Sequence, residues 1–125
     1  ITALKTGGMA AIIDGVIGRF FTPDFVTQNT VNLKRIRNIA LSQAPSGYAA
    51  CCGAIRDMDL YPRLERIQVP TLVVVGEMDL STPEARGQAL VDRINGARMI
   101  KVPSAHIAPP EIPNEYLAAV HPFIS

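Results

Sequence analysis

Apolar positions in the first half of the chain recur at helical spacing. Met9, Ile12, Ile13, Val16, Ile17 and Phe20 follow the i, i+3, i+4, i+7, i+8, i+11 pattern, which puts them on one stripe of a helix. Gly15 and Gly18 weaken that helix by about 1 kcal/mol each relative to Ala, so tertiary packing has to sustain it. The segment Phe21-Thr22-Pro23-Asp24-Phe25 breaks it. A second helix is predicted over 30–41, with Leu33, Ile36 and Ala40 on one side and Asn32, Arg35 and Asn38 on others. Ala44-Pro45-Ser46-Gly47 reads as an interruption. Tyr48, Cys51, Cys52 and Ile55 then return to helical spacing, and a short turn or helix is expected from Asp59 through Arg63 to Ile67.

The pattern changes after residue 68. Val69-Pro70-Thr71-Leu72-Val73-Val74-Val75 is a β-branched run ending at Gly76. A strand apolar on both faces belongs inside a parallel sheet covered by helices. Ser81-Thr82-Pro83-Glu84 has the hydroxyls, the early Pro and the acidic residue of a helix start. That helix carries Gly87, Leu90, Val91 and Ile94 on one face and stops at Asn95-Gly96. A weaker strand follows over 97–102, then a loop that holds His106 and ends in Pro109-Pro110. The last helix begins near Asn114, and Pro122 is expected to end or kink it.

Helices followed by strand–helix–strand–helix predict an α/β fold with parallel strands joined by a crossover. Two parallel strands do not stand as a sheet by themselves. The Val73-Val74-Val75 run therefore needs neighbours, either from a missing N-terminal half or from another copy of the chain.

Charge narrows the function classes. The chain has 125 residues, 12 Lys+Arg against 11 Asp+Glu, and a formal net charge of +1. That balance gives no electrostatic case for nucleic acid; the small cluster Lys34-Arg35-Ile36-Arg37 reads as a solvated helix face. No apolar run approaches the ~18 residues of a membrane span. The start, Ile1-Thr2-Ala3-Leu4-Lys5, has the pattern of neither a signal peptide nor a translation start, as expected for a processed protein or a piece of one. Cys51 and Cys52 are neighbours, so a disulfide between them on a helix would be strained; reduced, buried thiols in a cytoplasmic protein are the expectation.

Asp79 lies four residues after Val75, where the strand gives way to a loop. Ligand and catalytic groups of open α/β sheets sit beyond the carboxyl ends of strands, although Asp also serves there as a turn or cap residue. His106 follows the second strand in the same way. One crossover separates the two residues, so both side chains should emerge at the same sheet edge. Asp79 could then hold Nδ1–H of His106 and leave Nε2 to accept a proton, the arrangement of a general base. His121, beside Pro122 in the last helix, is read as packing or surface.

The nucleophile is missing from this pattern. A triad of this order presents its serine on a Gly-x-Ser-x-Gly elbow ahead of the acid and histidine. No such elbow occurs, and Ser42, Ser46, Ser81, Ser104 and Ser125 all have the wrong surroundings. Cys51 and Cys52 belong to an apolar stripe.

Three stretches resemble a known family. Residues 47–59, Gly-Tyr-Ala-Ala-Cys-Cys-Gly-Ala-Ile-Arg-Asp-Met-Asp, resemble the segment joining cap to core in 3-oxoadipate enol-lactonases, which are α/β-hydrolases of aromatic breakdown. Arg19-Phe20-Phe21-Thr22-Pro23-Asp24-Phe25 resembles the same family's cap motif. The strand with Asp79-Leu80-Ser81-Thr82-Pro83, and Ala105-His106, resemble the acid and histidine regions of α/β-hydrolases generally.

The resemblance implies a C-terminal part of the α/β-hydrolase fold, with residues 1–66 a helical cap-type segment returning to the core and 67–125 the end of the core. It implies Asp79 and His106 as the catalytic acid and base, a small lactone or ester substrate, and neither metal nor cofactor. The expected reaction opens an enol-lactone to 3-oxoadipate, in the β-ketoadipate pathway. Because that substrate carries a carboxylate, Arg19 and Arg56 are candidate anchors. Without its serine, the chain alone is expected to be inactive. Two other readings stand beside this one: an α/β-hydrolase of another ester or of a carbon–carbon bond, and a non-enzymatic module that self-associates.

Overall fold

A computed structural model describes residues 2–28 and 30–125; Ile1, the first residue of the start read above, and Asn29 lie outside the described residues. The chain divides into two compact units. One comprises Ile1–Gly18 and Pro23–Asp59, the other Arg19–Thr22 and Leu60–Ser125.

The first unit is helical. Helix α1 is Thr2–Gly7, and a short 3-10 turn over Met9–Ala11 precedes α2, Ile13–Phe20, whose last two residues belong to the second unit. The single helix expected from Met9 to Phe20 is thus interrupted. Gly8 adopts a left-handed φ of 62°, a conformation open to glycine, and the chain passes through the 3-10 turn before α2 begins. The apolar stripe survives this break: Met9, Ile13 and Ile17 are all buried. Helix α3, Pro23–Gln28, was not anticipated and buries Phe25. Helix α4, Val31–Leu41, begins where the hydroxyl of Thr30 accepts the N–H of Leu33 at 3.2 Å, and it buries Leu33.

Helix α5, Pro45–Asp57, starts inside the expected interruption, which shrinks to 42–44. Pro45 occupies the first turn, where its missing N–H costs no hydrogen bond. No residue of α5 is buried. Ile55 is 68% exposed, and Cys51 and Cys52 are exposed as well, which corrects the expectation of buried thiols. Helical spacing identifies an apolar stripe but not what covers it, and among the described residues this face stays open.

The second unit opens with a 3-10 stretch, Tyr61–Arg66. Strand β1, Leu72–Gly76, and strand β2, Arg98–Val102, pair in parallel with Leu72 opposite Arg98 and Gly76 opposite Val102. They form the two-stranded sheet of the described residues. The apolar run begins earlier than β1: Val69 is exposed, and Pro70 has no N–H to give a ladder. Helix α6, Glu84–Arg93, packs on both strands. Gly87 allows this close approach, since a Cβ there would lie 2.5 Å from Val75 Cγ2 and 3.2 Å from Met99 Sδ. Gly96, with φ 72°, turns the chain toward β2 as Asn95-Gly96 foretold.

The two proline expectations meet different outcomes. Pro109 and Pro110 lie within a four-residue helix, α7, Ala108–Glu111, rather than in open loop, because prolines fit a first turn. Pro122 does not end the last helix, α8, which runs Pro113–Ile124. Its missing N–H falls near the helix end and deprives only the carbonyl four residues earlier. Among the described residues, no helix is long and apolar enough to cross a membrane.

Candidate active site

The parallel ladder delivers the acid and the histidine to one edge. Beyond β1, Glu77 N–H donates to the Val102 carbonyl at 3.0 Å and Met78 N–H to the Ser104 carbonyl at 3.0 Å. Asp79 N–H then closes a tight turn onto the Gly76 carbonyl at 3.2 Å. Gly76 is required by proximity: a Cβ there would stand 2.1 Å from the carbonyl oxygen of Ala105 and 2.6 Å from that of Ser104. The strand end carrying the acid therefore rests directly on the backbone that carries His106.

Asp79 has a side chain only 6% exposed, and all its acceptor capacity toward the loop is used. Its Oδ1 accepts the N–H groups of Ser81 at 2.7 Å and Thr82 at 2.9 Å. Its Oδ2 accepts the Thr82 hydroxyl at 2.6 Å and lies 2.8 Å from His106 Nδ1. Burial pushes the Asp79 pKa upward, but the bonds from the Thr82 hydroxyl, the His106 imidazole and the two backbone N–H groups outweigh it and lower the value to about 2. Asp79 is thus an ionised acceptor at neutral pH.

That ionisation fixes the tautomer of the neutral imidazole. A carboxylate has no proton to give, so Nδ1 must carry the hydrogen and Nε2 the lone pair. The loop around His106 is fixed by the last residue of α2. The N–H groups of His106 and Ile107 both donate to the Phe20 carbonyl, at 3.0 and 3.2 Å. The Phe20 ring lies 4.7 Å from the imidazole, tilted by 41°. The histidine side chain remains 31% exposed.

The other candidates fall elsewhere. Arg19 is exposed and belongs to the same unit as His106, next to Phe20. Arg56 lies in the helical unit and grips Asp57 with two bonds of 2.7 Å, Nε to Oδ1 and Nη2 to Oδ2. His121 is exposed on α8. Ser104 is fully buried and donates to its neighbour's carbonyl at 3.1 Å.

Two contributors were missed by sequence reasoning. Thr82 was read as a helix cap, but it gives its hydroxyl to Asp79 and also stands 3.2 Å from His106 Nδ1. Asp and Thr three positions apart were the available signal. Glu111 accepts the N–H of Ala105 at 3.0 Å and the N–H of Thr22 at 2.8 Å, a contact with no local signature.

Residues 28–115 match the serine hydrolase (FSH1) family. The chain belongs to this family. It is also similar to 3-oxoadipate enol-lactonase 2 of Acinetobacter baylyi, with 31% identity over 117 residues, 94% of this chain and 44% of that protein. Among solved structures it is similar to the enol-lactonase of Burkholderia xenovorans LB400, with a TM-score of 0.93 and 35% identity over 98% of this chain and 47% of that one. A hydrolase from Pseudomonas aeruginosa PA01 gives a TM-score of 0.90 and 30% identity over 99% and 47%. This member of the serine hydrolase family has part of the α/β-hydrolase fold, as its order of helices and parallel strands led us to expect. It spans less than half the length of each of these relatives.

Proposed function

We propose that this chain supplies the acid and the base of a serine-hydrolase triad that opens an enol-lactone to 3-oxoadipate. The observation that carries the reading is the 2.8 Å contact between Asp79 Oδ2 and His106 Nδ1, made by an ionised, buried carboxylate. In this mechanism Nε2 takes the proton of a serine hydroxyl as its oxygen attacks the lactone carbonyl. Asp79 stabilises the imidazolium that results, and Nε2–H returns the proton to the ring oxygen as the C–O bond breaks. Water then cleaves the acyl-serine by the same proton route. The serine lies outside residues 1–125, on a segment that also adds strands beside the Val73-Val74-Val75 run; a second copy of the chain is the other candidate to complete the sheet.

In this reading residues 1–66 are a helical cap-type segment with its return to the core, and 67–125 are the end of the core. A substrate carboxylate needs a cation. For Arg56 it would have to displace Asp57, which favours Arg19 as the anchor.

The test uses purified 1–125, alone and mixed with a Gly-x-Ser-x-Gly-bearing N-terminal half of a relative, on enol-lactone and on a simple aryl ester. The chain alone should show no turnover. The mixture should hydrolyse enol-lactone, and His106→Ala should lower that rate by roughly 10²–10⁴-fold, the span of general-base catalysis. Turnover by the chain alone that survives His106→Ala would place the chemistry elsewhere.

A further inference from the structure

Three consecutive amides around the histidine are tied to acceptors outside their own loop. Ala105 N–H donates to Glu111 Oε2 at 3.0 Å, and His106 and Ile107 N–H both donate to the Phe20 carbonyl. The strap carrying that carbonyl, Arg19–Thr22, is itself held by Glu111, whose Oε1 accepts both the N–H of Thr22, at 2.8 Å, and its hydroxyl. The bonds close a ring that runs from Ala105 through Glu111 to Thr22, back along the strap to Phe20, and across to His106.

Ala105 is 3% exposed, so its N–H has little access to water and depends on this acceptor. An ionised acceptor makes the stronger kind of hydrogen bond, and here one carboxylate serves three donors.

We propose that Glu111 is a positioning residue for His106: by bridging Ala105 and Thr22 it fixes the backbone on which the imidazole meets Asp79. The proposal rests on reading His106 as the general base. It requires a carboxylate and not merely a side chain of that size. Gln in the same place has one oxygen for donors on two sides, and its amide NH₂ would face an N–H.

The decisive measurements are made by NMR on purified 1–125: the proton on His106 Nδ1, seen through its long-range nitrogen correlation, and amide exchange at residues 105–107. Glu111→Gln should speed exchange at Ala105 and His106 roughly tenfold or more. It should also remove or broaden the Nδ1 proton, while amides of β1 and α6 keep their rates. Packing alone would not move the Nδ1 signal in an isosteric variant. Asp79→Ala should separate the two readouts, losing the Nδ1 proton while Ala105 stays protected. Where Glu111→Gln does not fold, Thr22→Val decides: it removes one donor from Oε1 and should accelerate exchange at 105–107 by a smaller factor. If the Nδ1 proton and the exchange rates match the wild type in the folded variant, the role of Glu111 is wrong and the Asp79–His106 pair stands. If the wild type shows no Nδ1 proton protected from exchange, the pair itself fails, and the positioning role with it.

Discussion

Asp79 takes three of its four hydrogen bonds from Ser81 and Thr82, two and three positions along the chain, and only the fourth from His106. The loop that carries His106 is held by the Phe20 carbonyl and by a Glu111 carboxylate that also grips Thr22, 89 positions away. The acid is therefore seated by its own turn, whereas the base is seated by tertiary structure. A locally built loop keeps its geometry as long as its helix and strand exist. A loop held from afar moves whenever either partner does. Perturbations that leave the acid in place should therefore still disable the base.

The largest effect is expected at the point where the two loops meet. Gly76→Ala would put a methyl group 2.1 Å from the Ala105 carbonyl oxygen, and a backbone atom cannot turn aside as a side chain can. We expect a loss of roughly 3 kcal/mol or more, at the upper end for overpacking, read from urea denaturation midpoints. Amide exchange should locate the damage at residues 104–107, with the N–H groups of Ser81 and Thr82 still protected by Asp79. Equal loss of protection in both loops would show that acid and base are seated in the same way.

What was legible in the sequence divides along the same line. The placement of Asp79 after an apolar strand, and of His106 one crossover later, followed from apolar runs, a helix start and Asn95-Gly96. Those are local patterns, and they sufficed to bring both residues to one edge. Thr82 was within reach as well, since its hydroxyl is three residues from the acid, but a hydroxyl ahead of Pro83 reads equally well as a helix cap. The Glu111–Thr22 contact and the Phe20 carbonyl were out of reach, because no periodicity encodes a contact between chain segments so far apart. The same limit explains α5: the spacing of Tyr48, Cys51, Cys52 and Ile55 marks a stripe and is silent about its cover. Pro109-Pro110 misled for a different reason, since proline signals a break inside a helix but is at home in a first turn.

Acid should titrate the locally held group next. The folded Asp79 value of about 2 lies below the ordinary 3.8, so the unfolded chain binds the proton first as pH falls. The carboxylate's contribution is then complete above about pH 4, declines as pH falls, and is lost as pH passes through about 2. A shift of that size corresponds to about 2 kcal/mol. Asp79→Asn should flatten the stability profile across this window while altering it little at pH 7 beyond a constant loss. A wild-type profile already flat between pH 4 and 2 would mean that Asp79 is not held as described.

Thr82→Val should be milder. It removes the hydroxyl from Oδ2 but keeps the backbone N–H on Oδ1, so one hydrogen bond of about 1 kcal/mol is lost. The Asp79 carboxyl resonance should titrate at higher pH than in the wild type. Exchange at residues 105–107 should hardly change, because the clamp on the histidine loop does not include Thr82. Faster exchange there would show that the two loops are coupled through the threonine as well as through the imidazole.

The smallest effect is expected one residue earlier. Ser81 contributes to the acid turn through its backbone N–H, whereas its buried hydroxyl oxygen has no hydrogen-bond partner among the described residues. A buried polar group that makes no hydrogen bond contributes its desolvation cost and little else. Ser81→Ala removes that cost and leaves the 2.7 Å bond to Oδ1 in place. The denaturation midpoint should therefore stay level or rise, by no more than about 1 kcal/mol of stability. The Asp79 titration should be unmoved, in contrast to Thr82→Val. The pair of neighbouring hydroxyl deletions thus separates what the turn does through its backbone from what it does through side chains. A loss above about 1 kcal/mol in Ser81→Ala would assign the serine hydroxyl a share in holding the acid.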